Sequence, residues 1–270
     1  MKRFFEKKTP FQKEWARLNA QEERFLRKHL ERKESFLNQK LEEKVPPKLQ
    51  QTLDAAFAKA FGLIFEKGTG VIEKTYPREK LEQDYMIRQY TAEIKQDSKS
   101  LRAFSRKARD TSTKNLLISG ASGIGMGVLG IGIPDIPVFT GMLLKTIYEL
   151  ALHYGFTYDT EQERYFILLM ILGAVSCGEN YCSLNHAVDR FIETETLPED
   201  YDERKQIAET ASVLSKELLY MKFLQGLPVV GAVGGAYDAI YMKQISEYAE
   251  LKYRRRYLRK QERNGKFEGN

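Results

Sequence analysis

The sequence predicts an all-α protein. It reads as a single multi-helix domain with glycine-rich buried apolar helices and a long charged helix near its start. Three observations carry this prediction. No segment alternates apolar and polar residues over strand length. Apolar residues recur instead at three- and four-residue steps. Helix punctuation falls between those runs, at Pro46-Pro47, Gly68, Gly70, Pro77, Gly155, Gly226 and Pro228.

The elements follow in order. Residues 11–44 read as one helix, with Phe11, Trp15, Leu18, Phe25, Leu26 and Leu30 among its apolar positions and Lys, Arg and Glu opposite. Pro46 and Pro47 end it. A second helix runs through Leu53, Phe57, Phe61 and Phe65, closed by Gly68 and Gly70. Pro77 opens a third, through Leu81, Tyr85, Ile87, Tyr90 and Ile94. Ser98 is read as the N-cap of the next, through Leu101, Phe104 and Ala108. Residues 138–154 form a helix closed by Gly155. Thr160, with Glu163 three residues on, reads as a capping box before an apolar and hence buried run, Tyr165 to Cys177. A helix over about 201–224 and a last one over about 229–260 complete the chain. The expected organisation is a basic amphipathic helical extension (1–47), an all-helical domain (48–260) and a polar tail (261–270). IPDIPVFTG and LPVVGAVGG also echo one another, aligning Pro134 with Pro228 and Gly141 with Gly235.

At 270 residues the chain can bury a sizeable core as one domain. Its start has no apolar run followed by a small-residue cleavage site. Cys177 and Cys182 are the only cysteines, so no disulfide framework is expected. Both points favour the cytoplasm. The net charge of +6 is uneven. Residues 1–50 hold 14 Lys/Arg against 8 Asp/Glu, and residues 252–270 hold 8 against 2. The middle is acidic, most of all residues 157–204, with 11 Asp/Glu against 3 Lys/Arg. Basic ends suggest an anionic surface as partner, lipid headgroups or nucleic acid, or else plain solvated helices.

Asn115 to Pro134, NLLISGASGIGMGVLGIGIP, carries no charge in a chain that is 30% charged. Six of its residues are glycine: 120, 123, 125, 127, 130 and 132. As a phosphate loop it would need alternating strands and helices around it, and helical patterns flank it on both sides. The pair Tyr201 and Lys205, which would complete a dehydrogenase-like reading, lies in a charged helix start. As a membrane span, residues 116–133 offer 18 uncharged positions, close to the lower limit for ~30 Å of hydrocarbon. Its glycines weaken it further, Asp135 follows at once, and the mean hydropathy of the whole chain is −0.48. A buried or peripherally inserted element is favoured. Glycine costs about 1 kcal/mol per helical position relative to alanine, so either close packing repays it or the segment is partly irregular. Gly123 and Gly127, and Gly231 and Gly235, have the spacing that lets helices approach. A bulky residue at Gly123 or Gly127 is expected to destabilise the protein.

Other constellations are sparser. Cys177, Cys182 and His186 lack a second ligand pair, so no metal or cofactor is expected. Asp135, between Ile133-Pro134 and Ile136-Pro137, caps the next helix or serves as a functional acid, and Asp238 has the same ambiguity. His153 reads as a cation at a helix end. Phe4, Phe5 and Trp15 with the basic face of the first helix, and Arg254, Arg255 and Arg256 in LKYRRRYLRK, are candidate membrane-surface residues. Gly123, Gly127, Asp135, Gly231, Gly235 and Asp238 are candidate ligand-binding residues.

The order of these features resembles the EcsC family of bacteria. GASGIGMGVLGIGIPDIP comes first, then a helix closing in HYG. An acidic helix start before an apolar helix follows, and then LPVVGAVGGAYDAIYM. The likeness covers most of residues 50–255 and leaves the first helix aside. It implies an all-helical protein linked to ABC transport or secretion, and it implies no reaction. The reading that follows is a non-enzymatic accessory protein, peripheral on the cytoplasmic membrane face, binding lipid, an apolar ligand or an ABC transporter. The alternatives are a hydrolase with Asp135 at its site and a nucleic-acid-binding module using the basic ends.

Overall fold

A computed structural model describes residues 8–31, 46–66, 70–126, 135–225 and 234–266. For residues 31, 71, 117–126, 135, 219–225 and 234–239 it describes the backbone alone. Among the described residues the chain is helical and contains no strand. The helices are α1 (Pro10–Glu31), α2 (Pro47–Glu66), α3 (Gly70–Glu73), α4 (Arg78–Lys95), α5 (Ser98–Met126), α6 (Asp135–His153), α7 (Glu161–Val175), α8 (Gly178–Thr194), α9 (Glu203–Gln225) and α10 (Gly234–Arg263). The all-α prediction holds, and α7 is buried throughout from Phe166 to Val175, as its unbroken apolar run requires.

α10 is the axis of the bundle. It packs against α1, α5, α6, α7 and α8, while α2 and α9 pair on one flank and α4 lies against α5 and α6. A central position explains why α10 is buried on several sides, from Tyr248 and Ala249 through Tyr253 to Tyr257 and Leu258. α1 packs into this core through Phe11, Leu18 and Phe25. α6 and α10, the helices that follow the echoed segments, are in contact.

Several local expectations meet their structural outcome here. Gly155 closes α6 with φ +76°, the left-handed conformation that favours glycine. A Cβ there would also fall 2.2 Å from Cζ of Tyr85, so the position is a socket for that ring. Gly173 similarly admits Tyr248, whose ring a Cβ would meet at 3.1 Å. Thr160 caps α7 by accepting from the Glu163 amide at 3.2 Å. The expected reciprocal bond is replaced, because the Glu163 carboxylate turns inward to Tyr253 and Arg256. α5 is capped one residue earlier than expected: the Asp97 carboxylate, not Ser98, accepts from the Ser100 amide at 2.7 Å. The first helix is described to Glu31, and residues 32–45 lie outside the described part. Pro77 is the N-cap of α4. α4 differs in its facing: Leu81 and Ala92 are buried, while Ile87, Tyr90 and Ile94 point to solvent.

Candidate functional site

A cavity of about 420 Å³ opens between α1, α5 and α10. Its floor is apolar, formed by Phe25 of α1, Leu116 of α5 and Leu251 of α10. Its rim is cationic. Arg24 and Lys28 stand one turn apart on α1, Arg109 comes from α5 and Lys243 from α10. All four are exposed. Helical spacing sets this arrangement: Arg109, Thr113 and Leu116 recur at four and three residues and therefore share one face of α5. Two carboxylates temper the charge. Glu247 is exposed and pairs with Lys243 at 3.8 Å. Glu250 is buried and accepts from the Tyr154 hydroxyl at 2.8 Å. Burial pushes the Glu250 carboxyl up from the ordinary range, against the pull of Arg254, the Tyr154 bond and Arg109. The Ser112 hydroxyl also lines this space and has no hydrogen-bond partner among the described residues. A cationic rim over an apolar floor suits a ligand with an acidic head and an apolar body.

The cavity sits on α5 immediately before the glycine-rich run. The α5 backbone stays helical through Gly120, Gly123 and Gly125 to Met126. A phosphate-binding turn after a strand is therefore excluded for that part. Among the described residues no helix is long and apolar enough to cross a membrane. Gly127 and Gly231 lie outside the described residues, as do Phe4 and Phe5. Gly235 and Asp238 lie in α10, and Asp135 is the first residue of α6. For these three and Gly123 the backbone alone is described.

The arginines of α10 differ most from expectation. Arg254 is 2% exposed, pairs with Glu14 of α1 and donates to Gln21 at 2.7 Å. Arg256 donates to Glu163 at 2.7 Å and stacks over Phe156 at 4.3 Å. Arg255 makes a forked contact with Glu22. These side chains turn inward, where a membrane-surface position was expected. The reason is local: where α10 is buried, it can hold cations only where carboxylates and aromatic faces meet them. Trp15 is half-buried against the core, with the guanidiniums of Arg259 and Arg255 over its ring at 5.0 and 5.6 Å.

His153 is fully buried, with Nε2 2.8 Å from the Thr111 hydroxyl. Burial, with Arg88 and Lys107 nearby, pushes its pKa down to about 3. It is thus a neutral side chain at neutral pH, which corrects the expected helix-end cation. Cys177 and Cys182 form no disulfide. They and His186 fall in no metal-holding group among the described residues. The His186 region instead lines a second cavity of about 590 Å³, beside Arg190, Glu199 and Asp200. The rim cations Arg24, Lys28, Arg109 and Lys243 were not legible as a set. They come from three different helices, and only the Arg24–Lys28 spacing beside Phe25 gave a local signal.

No solved structure matches the chain. Protein EcsC of Bacillus subtilis (strain 168) is 30% identical over 155 residues, which is 56% of this chain and 63% of that relative. The chain thus covers less than two thirds of that relative's length. The model of the EcsC protein family matches residues 12–258. That match begins inside α1 and takes in a helix that packs in the core against α5, α8 and α10. By that near-complete match, the chain belongs to the EcsC protein family.

Proposed function

We propose that the protein is a non-enzymatic accessory protein that works at the cytoplasmic face of the membrane and holds an anionic amphiphile in the cavity between α1, α5 and α10. The single observation behind this reading is the cavity itself: four cations at the rim over Phe25, Leu116 and Leu251. A carboxylate or phosphate head would meet Arg24, Lys28, Arg109 and Lys243. Its apolar body would run over the floor toward the glycine-rich end of α5. The volume lies within the ordinary range for small-molecule sites. The family resemblance supplies the setting, an association with ABC transport or secretion. Nucleic-acid binding is less favoured, because Arg254 and Arg256 are committed to Glu14 and Glu163 inside the fold.

A displacement assay tests this. The full chain should bind a fluorescent fatty acid, and unlabelled fatty acid or lysophosphatidylglycerol should compete. Arg109→Glu with Lys243→Glu should weaken binding by about tenfold or more at low salt. Equal binding by wild type and variant, or no binding by either, rejects the site.

A further inference from the structure

We propose that the outward face of α4, flanked by the basic face of α5, is the surface that lies against an anionic bilayer. This rests on the peripheral membrane association proposed above and assigns the face that makes it.

α4 is apolar on two sides. Its inner side carries Leu81 and Ala92, both buried, and Tyr85, whose ring meets Phe104 of α5. Its outer side carries Met86, Ile87, Tyr90 and Ile94, which are 61%, 65%, 68% and 64% exposed. They recur at three- and four-residue steps and so form one stripe. Scattered exposed apolar residues need no explanation, but four on one face of an 18-residue helix do. Tyrosine suits the boundary between water and lipid because its ring is apolar and its tip polar.

The flanking charge selects the occupant. Along residues 79–110, seven cations are exposed (Lys80, Lys95, Lys99, Arg102, Arg106, Lys107 and Arg109) against two exposed acids, Glu79 and Asp110, with Glu82, Asp84, Glu93 and Asp97 half-buried. Arg102, Arg106 and Arg109 follow one another at four and three residues along α5, and Arg109 is also part of the cavity rim. The helices pack through inner residues, Arg88 and Tyr85 against Phe104, and the exposed residues of each fall on other helical faces. An apolar stripe beside clustered Lys and Arg is the pattern of a helix that rests in the interface of an anionic membrane. A second copy is disfavoured, because a two-fold contact would set this cationic face against itself. Arg109 belongs both to this basic run and to the cavity rim, so the proposed surface and the site share a residue.

The test is co-sedimentation of the full chain with vesicles of phosphatidylcholine alone or with phosphatidylglycerol. Wild type should bind the anionic vesicles and not the neutral ones. Ile87→Asp with Ile94→Asp should lower binding by about a hundredfold. Arg102→Gln with Arg106→Gln should lower it by about tenfold at low salt, with the difference shrinking as salt rises. All four positions are exposed, so both variants should keep the wild-type melting temperature. A Tyr90→Trp reporter should shift its emission to the blue on anionic vesicles. If wild type binds vesicles while both variants bind equally well and the reporter stays unshifted, another face makes the contact: this inference fails and peripheral association stands. If wild type binds no vesicle, peripheral association fails with it. If the aspartate pair instead dissociates a dimer, or abolishes capture of a partner protein without affecting vesicles, the occupant is protein and the inference is overturned.

Discussion

α5 and α10 pack against each other and both carry dense runs of arginine and lysine, yet they use them in opposite ways. In α10 the cations between Lys252 and Arg256 lie inside or half-buried, while Lys243, Lys260 and Arg263 are exposed. Lys252, Arg254 and Arg256 are buried and meet Asp189, Glu14 and Glu163. In α5, Lys99, Arg102, Arg106 and Lys107 are exposed, and the group near Lys107 and Arg88 is a neutral histidine. A basic stretch of sequence therefore says little about function until its counter-charges are located. Where carboxylates from other helices converge, arginine ties the bundle together. Where none converge, its field is left for an external anion.

The largest effect should come from breaking an α10 pair. Arg256→Met leaves the Glu163 carboxylate buried with the Tyr253 hydroxyl as its remaining donor. A loss of about 3–5 kcal/mol is expected. Calorimetry at pH 7 should show Tm lower by on the order of 10 °C. Adding Glu163→Leu should restore much of it, since an apolar pair no longer strands a buried charge. If Arg256→Met melts like wild type, the inward cations hold nothing together and the contrast with α5 collapses.

The next effect is a pH slope from His153. Its folded pKa of about 3 lies below the ordinary 6.5. The unfolded chain therefore binds the extra proton between those values. The stability from burying neutral imidazole is complete above pH 6.5 and drains away toward pH 3, by up to about 1.4 kcal/mol per unit. Glu149, Glu163 and Glu250 act with the opposite sign, because burial raises all three. The clean measurement is thus the difference between wild type and His153→Gln by urea unfolding at pH 7 and pH 5. It should narrow at the lower pH, and a constant difference would contradict a buried neutral histidine.

Glu250→Gln should have a smaller effect of informative sign. A raised carboxyl stabilises below its unfolded value, and that contribution is lost as pH rises through the folded value. The amide can still accept from Tyr154. The variant should gain on wild type as pH rises above about 4.5. With one negative charge removed from the cavity, it should also bind fatty acid more tightly. Weaker binding would mean that the carboxylate, not the rim, recognises the ligand. The smallest effect belongs to α5: Arg102→Gln with Arg106→Gln should move Tm by less than about 2 °C, with each substitution within about 0.5 kcal/mol.

Much of the fold was legible because helix periodicity and punctuation are local. Thr160, Gly155 and the apolar run of α7 act on neighbours within a turn or two, and sequence shows such neighbours directly. The fate of the arginines was not legible in the same way. Their partners Glu14, Glu22 and Glu163 come from other helices. One cue was present: Tyr248, Leu251, Tyr253, Tyr257 and Leu258 do not share one stripe, and an apolar pattern spread around a helix implies burial. The same mixing hid the outward stripe of α4, since Leu81 and Tyr85 ran together with Ile87, Tyr90 and Ile94 as one face. The cavity was less legible still, being assembled from three helices that no spacing rule connects.

The pairs between α1 and α10 have a consequence during synthesis. Glu14 meets Arg254 across 240 residues, and Glu22 meets Arg255 across 233. At ribosomal speeds of roughly 5–20 residues per second, α1 is finished on the order of 10–50 seconds before these partners exist. During that interval Phe11, Leu18 and Phe25 have no α10 to cover them, while Glu14 and Glu22 keep the helix soluble. Ribosome-bound chains stalled before α10 should therefore present α1 to a protease that cannot cut it in the finished protein.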